Sequence, residues 1–154
     1  MPATSASSAH TSAAPSAAFL AHRPVWQVSY LSGLAASVVV EAWGLAARAA
    51  GVPMRAAGLG SHHATPVTVG MFAMGTMVVT FWFTFAVVLI ARFAKNPERA
   101  YLRTTLPLLA LSLAVPLTAA DTATSTKLTL AAAHLIAGAV IIIPAVAWRL
   151  ARTR

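Results

Sequence analysis

Residues 25–50 read VWQVSYLSGLAASVVVEAWGLAARAA, a run long enough to cross a hydrocarbon core as a helix, yet interrupted within by the carboxylate of Glu41. A helical span needs about 20 predominantly apolar residues, and three further stretches approach or meet that length: Val67 to Ile90, Leu106 to Ala120 and Leu128 to Trp148. The predicted spans therefore cover about residues 26–50, 67–91, 104–120 and 127–148. The third is the shortest and contains Pro107 and Pro116, so by length alone it also fits a buried or re-entrant segment. The distribution of charge favours a full span.

Cytoplasmic flanks of membrane helices retain an excess of Lys and Arg. With four spans, Arg23, Arg92, Lys95, Arg99, Arg103, Arg149, Arg152 and Arg154 share one side, and only Arg48, Arg55 and Lys127 lie on the other. Eight against three supports both termini in the cytoplasm; deleting the third span would put the C-terminal arginines outside. Trp26, Tyr30, Tyr101 and Trp148 fall near the predicted inner interface, where amphipathic rings prefer to sit.

Composition agrees. Of the 154 residues, 58% are hydrophobic and 9% charged, too apolar for an ordinary aqueous domain. The net charge of +8 forms no patch interleaved with exposed aromatics, which argues against nucleic acid as a partner. Cysteine is absent, excluding disulfides, thiolate nucleophiles and thiolate metal sites. Nine Arg against two Lys, with abundant Ala, reads as the product of a GC-rich, bacterial genome. Residues 1–24 form an expected disordered Ser/Ala/Thr-rich cytoplasmic tail that lacks the basic start and apolar core of a cleaved signal. Residues 25–150 form the expected domain: all-α, an integral membrane four-helix bundle running up-down-up-down.

Gly33, Ser37, Glu41, Gly44 and Arg48 recur at helical spacing and share one face of the first span. Lys127, Ala131, His134 and Gly138 do the same in the fourth. Small residues permit close helix approach and polar ones turn away from lipid, so the two stripes are expected to face each other or a shared interior. A rise of ~1.5 Å per residue puts Glu41 roughly 13 Å and His134 roughly 10 Å from the outer ends of their helices. At that similar depth the two are expected to interact directly or through one water. Such a pair reads either as a proton-responsive or ligand-binding site, or more plainly as polar glue that fixes packing.

Other candidates carry less. Asp121 could join Lys127 and Arg48 in an outer cluster, but its Thr- and Ser-rich surroundings read more simply as turn or cap chemistry. His62 and His63 could hold a metal with Glu41 or Asp121, although adjacent loop histidines match no zinc spacing. A haem would need ligands inside the bundle, where His134 is accompanied only by Met71, Met74 and Met77, equally good as packing; no cofactor is expected. Thr76, Thr80 and Thr84 read as threonines returning their hydroxyl bonds to their own helix. Pro107, Ser112 and Pro116 suggest a bent third helix.

The stretch SLAVPLTAADTATSTKLTLAAAHLIAGAVIIIP, from Ser112 to Pro144, resembles a family of small four-span actinobacterial membrane proteins of unknown function. The resemblance rests on Leu113, Pro116 and Leu117, a Thr-containing turn, and His134 followed by an Ala/Gly and Ile run ending at Pro144. It implies a four-helix membrane fold and no activity. The leading expectation is a non-enzymatic accessory or structural component of a bacterial plasma membrane, its partners the lipid bilayer and either further copies or another membrane protein. The alternative is a proton-responsive small-molecule carrier or sensor using Glu41 and His134, with Arg48 and Asp121 as further site candidates.

Overall fold

A computed structural model of the chain describes residues 20, 22–58 and 60–152. Of the expected tail over residues 1–24, all but residues 20 and 22–24 lies outside the described residues. Four long apolar helices carry the architecture: α1 (Val25–Ala49), α2 (Met71–Phe93), α3 (Pro97–Thr118) and α4 (Thr124–Ala151). Between α1 and α2 a short antiparallel ribbon, β1 (Arg55–Ala56) and β2 (Thr65–Pro66), pairs Arg55 with Pro66 and Ala56 with Thr65.

Local chemistry sets the ends of these helices. α2 begins four residues later than the hydropathy suggests, because Val67 to Gly70 complete the return of the ribbon and Gly70 takes the left-handed conformation, φ 90°, at the helix cap. α3 begins seven residues earlier, at Pro97. Proline suits the first helical position and Glu98 complements the helix dipole in the first turn, so the basic segment expected as a loop is helical instead. Pro107 and Pro116 lie inside this one helix. Within α4 the winding is α over Thr124–Leu135, π over Ile136–Ile142 and α again over Ile143–Ala151. Pro144 lacks an N–H and would clash with the carbonyl one turn earlier, and the wider winding just before it relieves that conflict, with the Ile143 N–H reaching the Gly138 carbonyl.

α1 packs along both α2 and α4, α3 packs chiefly on α4, and the contact between α2 and α3 is slighter. Arg149 Nε donates to the Arg23 carbonyl at 2.6 Å, bringing the start and end of the four-helix unit together. The core divides into two clusters. Val87, Tyr101, Ile143, Val146 and Leu150 fill the end that carries most of the basic residues. Val40, Met54, Phe72 and Ala133 fill the other, beneath the ribbon, without a residue from α3. Large apolar side chains point outward on every helix, among them Val38, Trp82, Leu111 and Val140, each at least two-thirds exposed. Water-soluble proteins rarely show so much contiguous apolar surface; for helices long enough to cross a membrane it is the surface that meets lipid.

Candidate functional site at the ribbon end

The polar stripe of α1 is real, and it faces α2. Ser29 and Thr84 share a hydrogen bond of 2.9 Å across the seam. At Gly33 the Thr80 side chain packs so closely on α1 that a Cβ would lie 2.2 Å from Thr80 Cγ2. A Cβ on Gly44 would lie 2.9 Å from the Phe72 ring. Partners in α2 fall in number as those in α1 rise, the register of an antiparallel pair. Thr84 also returns its hydroxyl to the Thr80 carbonyl at 2.8 Å, as expected of a threonine in an apolar helix, whereas the buried Thr80 Oγ1 has no hydrogen-bond partner.

Glu41 ends this seam at the first turn of α2. Oε1 accepts the Gly70 N–H at 2.7 Å and Oε2 accepts the Ala73 N–H at 3.0 Å. The opening N–H groups of a helix have no partner within it, and a carboxylate there satisfies both the bonds and the positive end of the dipole. Gly70 supplies no side-chain cap of its own. The cap comes instead from the neighbouring helix. Seven residues further along α1, Arg48 Nη2 donates to the Val67 carbonyl, while its buried Nε has no partner. Two charged side chains on one face thus hold the chain from Val67 to Ala73.

The turn between α3 and α4 holds the other side of the same loop. Asp121 Oδ2 accepts the Ala64 N–H at 3.3 Å, and Thr122 Oγ1 accepts the Ala57 N–H at 3.0 Å. Arg55 Nη2 closes the ribbon by donating to the Ala64 carbonyl at 2.8 Å. Met54 and Ala57, buried beneath, seat the loop on the bundle.

His134 stands apart from this arrangement. Half-buried, it places Nδ1 2.8 Å from the Leu130 carbonyl of its own helix. Among the described residues no hydrogen bond or ion pair joins Glu41 to His134, so the expected direct pairing is not formed. The reason is directional: Glu41 turns to α2, whereas α4 meets α1 along the part of its face that carries Trp43, whose Nε1 donates to the Thr129 carbonyl at 3.0 Å. Nor do the two small-residue stripes oppose one another. A Cβ on Gly138 would lie 2.7 Å from Leu109 Cδ1 of α3.

His62 and His63 are exposed at the ribbon's turn, and among the described residues no three His, Asp or Glu side chains converge as metal ligands. One shallow cavity lies between Ala57, Ser61 and His62 and the end of α3 at Val115 and Thr118. Another lies between Arg55, Ala64, Asp121 and Thr122. Neither is lined by Glu41 or His134.

A family model spans residues 20–152, from before α1 to the end of α4. The chain belongs to DUF6069, a family of unknown function. No curated protein and no solved structure matches it. The DUF6069 unit contains every tether described above, so the ribbon and its anchors belong to the same unit as the four helices. Two tethers, that of Trp43 to α4 and that of Thr122 to the loop, were not legible as such from sequence. Thr122 reads as part of a turn, and its acceptor role depends on a backbone N–H 65 residues away. Gly70 had a signal: a glycine directly before an apolar helical run marks a boundary.

Proposed function

We propose that this chain is a non-enzymatic accessory or structural component of a bacterial plasma membrane, crossing it four times with both termini cytoplasmic and the ribbon on the outer face. One observation carries the reading: both oxygens of Glu41 are engaged by the backbone of the next helix, so the carboxylate that looked most like a ligand site serves the architecture. Arg48 and Asp121 serve the same loop. The carrier or sensor reading has less support, since the two cavities described at this end are lined by neither Glu41 nor His134. The outward apolar faces of the helices suit contact with lipid and with a second membrane protein or another copy.

Two experiments test this. Because the chain has no cysteine, single probes at Ser61→Cys and Asn96→Cys can be labelled in intact cells with a membrane-impermeant maleimide. Labelling at residue 61 and protection at residue 96 are expected; the reverse pattern overturns the orientation. Separately, Glu41→Gln and His134→Ala are compared with wild type by thermal melting across pH. A loss of stability confined to Glu41→Gln fits an anchor, whereas unchanged stability with altered proton binding in both variants overturns it in favour of the carrier.

A further inference from the structure

At the basic end of the bundle, four cations cluster around the turn between α2 and α3. Arg92 closes the last turn of α2, Lys95 lies in the connection, and Arg99 and Arg103 occupy the first two turns of α3; all four side chains are exposed. Among the described residues none of them forms an ion pair within 4.0 Å, although Glu98 lies between them. Spaced four apart, Arg99 and Arg103 share one helical face. Arg103 lies roughly 9 Å along the helix from Pro97, more than a turn deeper than a loop charge. Directly below on that face, Leu106 is 51% exposed, and below Arg92 on α2 Leu89 is 56% exposed. Guanidinium groups therefore sit immediately above outward apolar side chains on two adjoining helices whose mutual contact is the slight one.

We infer that the α2–α3 turn binds anionic phospholipid, the headgroup phosphate held by Arg99 and Arg103 with Arg92 and Lys95 beside them, and the acyl chains lying against Leu106 and Leu89. Charge selects the headgroup: four cations without a carboxylate partner attract an anion, and clustered Lys and Arg at the membrane surface favour acidic over zwitterionic lipid. Geometry selects a lipid over a free anion, because the apolar surface continues from the arginines into the hydrocarbon region. Arginine's planar fork also takes two phosphate oxygens at once. The inference depends on the membrane-spanning fold and not on which side of the membrane this end occupies.

The test uses the full chain purified in neutral detergent, with bound lipid counted by native mass spectrometry after exchange against phosphatidylglycerol or phosphatidylcholine. Wild type is expected to retain phosphatidylglycerol at least tenfold better, a preference that Arg99→Gln/Arg103→Gln reduces by roughly tenfold. Arg99→Lys/Arg103→Lys keeps the charge and loses the fork, and is expected to fall between. Arg152→Gln, at the same end but stacked 4.2 Å over the Trp148 ring, is expected to retain the preference. Equal retention of the two lipids by wild type overturns the inference, a result that stands even if the double variant does not fold. So does an equal loss in Arg152→Gln, which would mark diffuse attraction, or displacement of the lipid by an equimolar amount of inorganic phosphate.

Discussion

The two ends of this bundle use different sets of charged residues for different problems. At the ribbon end, Glu41, Arg48 and Asp121 bind main-chain groups, and a loop of some twenty residues is fixed onto the helices. At the basic end the packing is apolar around Tyr101, Val146 and Leu150, and arginines lie outside it, one over Trp148 and another 5.9 Å from the Phe93 ring. The difference follows from the length of the connections. A three-residue turn between α2 and α3 leaves few backbone groups unpaired, whereas the long α1–α2 loop leaves many, and in or near lipid each needs a partner. Charge at the ribbon end satisfies the backbone of a long loop; at the basic end Arg149 does so for the Arg23 carbonyl alone, while Arg99 and Arg103 stand exposed outside the core.

Both ends hang on the α1–α2 seam, so the largest expected effect is there. Gly33→Ala places a Cβ 2.2 Å from Thr80 Cγ2, and a β-branched threonine in a helix has little rotamer freedom with which to withdraw. A destabilisation of about 2–3 kcal/mol is expected, read as a lowered melting midpoint in detergent. Thr80→Ala in the same chain should recover part of it by removing the two atoms nearest the new methyl. An unchanged midpoint in Gly33→Ala would mean that the helices do not meet this closely.

Next in size is the ribbon end itself. Glu41→Ala leaves the Gly70 and Ala73 N–H groups without acceptors at the end of a helix, a loss of about 2 kcal/mol. The signature is local: amide hydrogen exchange at Gly70, Ala73 and through the ribbon should accelerate, while Tyr101 and Leu150 at the far end keep their protection. Arg99→Gln should leave all of these rates unchanged. Acceleration confined to α4 would instead revive a role for Glu41 toward His134.

The division between what was and was not legible in the sequence follows the same comparison. Helices α1 and α4 are readable because apolar length and flanking charge are local properties. The helix α3 starts seven residues before the expected third span, because Pro97 and Glu98 open a helix through charged residues that hydropathy does not mark. For the site, periodicity correctly put Gly33, Ser37, Glu41, Gly44 and Arg48 on one face. It could not choose which neighbour that face meets. Equal depth suggested His134, but depth is one coordinate of three, and the competing acceptor demand came from backbone N–H groups, which every residue but proline carries and no sequence pattern announces.

Asp121 offers the smallest and finest test of the ribbon end, because its position combines two effects that one substitution pair separates. Its φ of 46° is a left-handed conformation that Asp and Asn tolerate better than most residues, and its exposed carboxylate accepts a long hydrogen bond from Ala64. Asp121→Asn keeps both the conformational tolerance and an acceptor oxygen, so its stability should stay within about 0.5 kcal/mol of wild type. Asp121→Ala loses both and should cost about 1 kcal/mol. Melting of the two variants side by side decides between causes. If Asn proves as costly as Ala, the negative charge itself matters, and Arg55, which lines the same cavity, is the cation it would be acting upon.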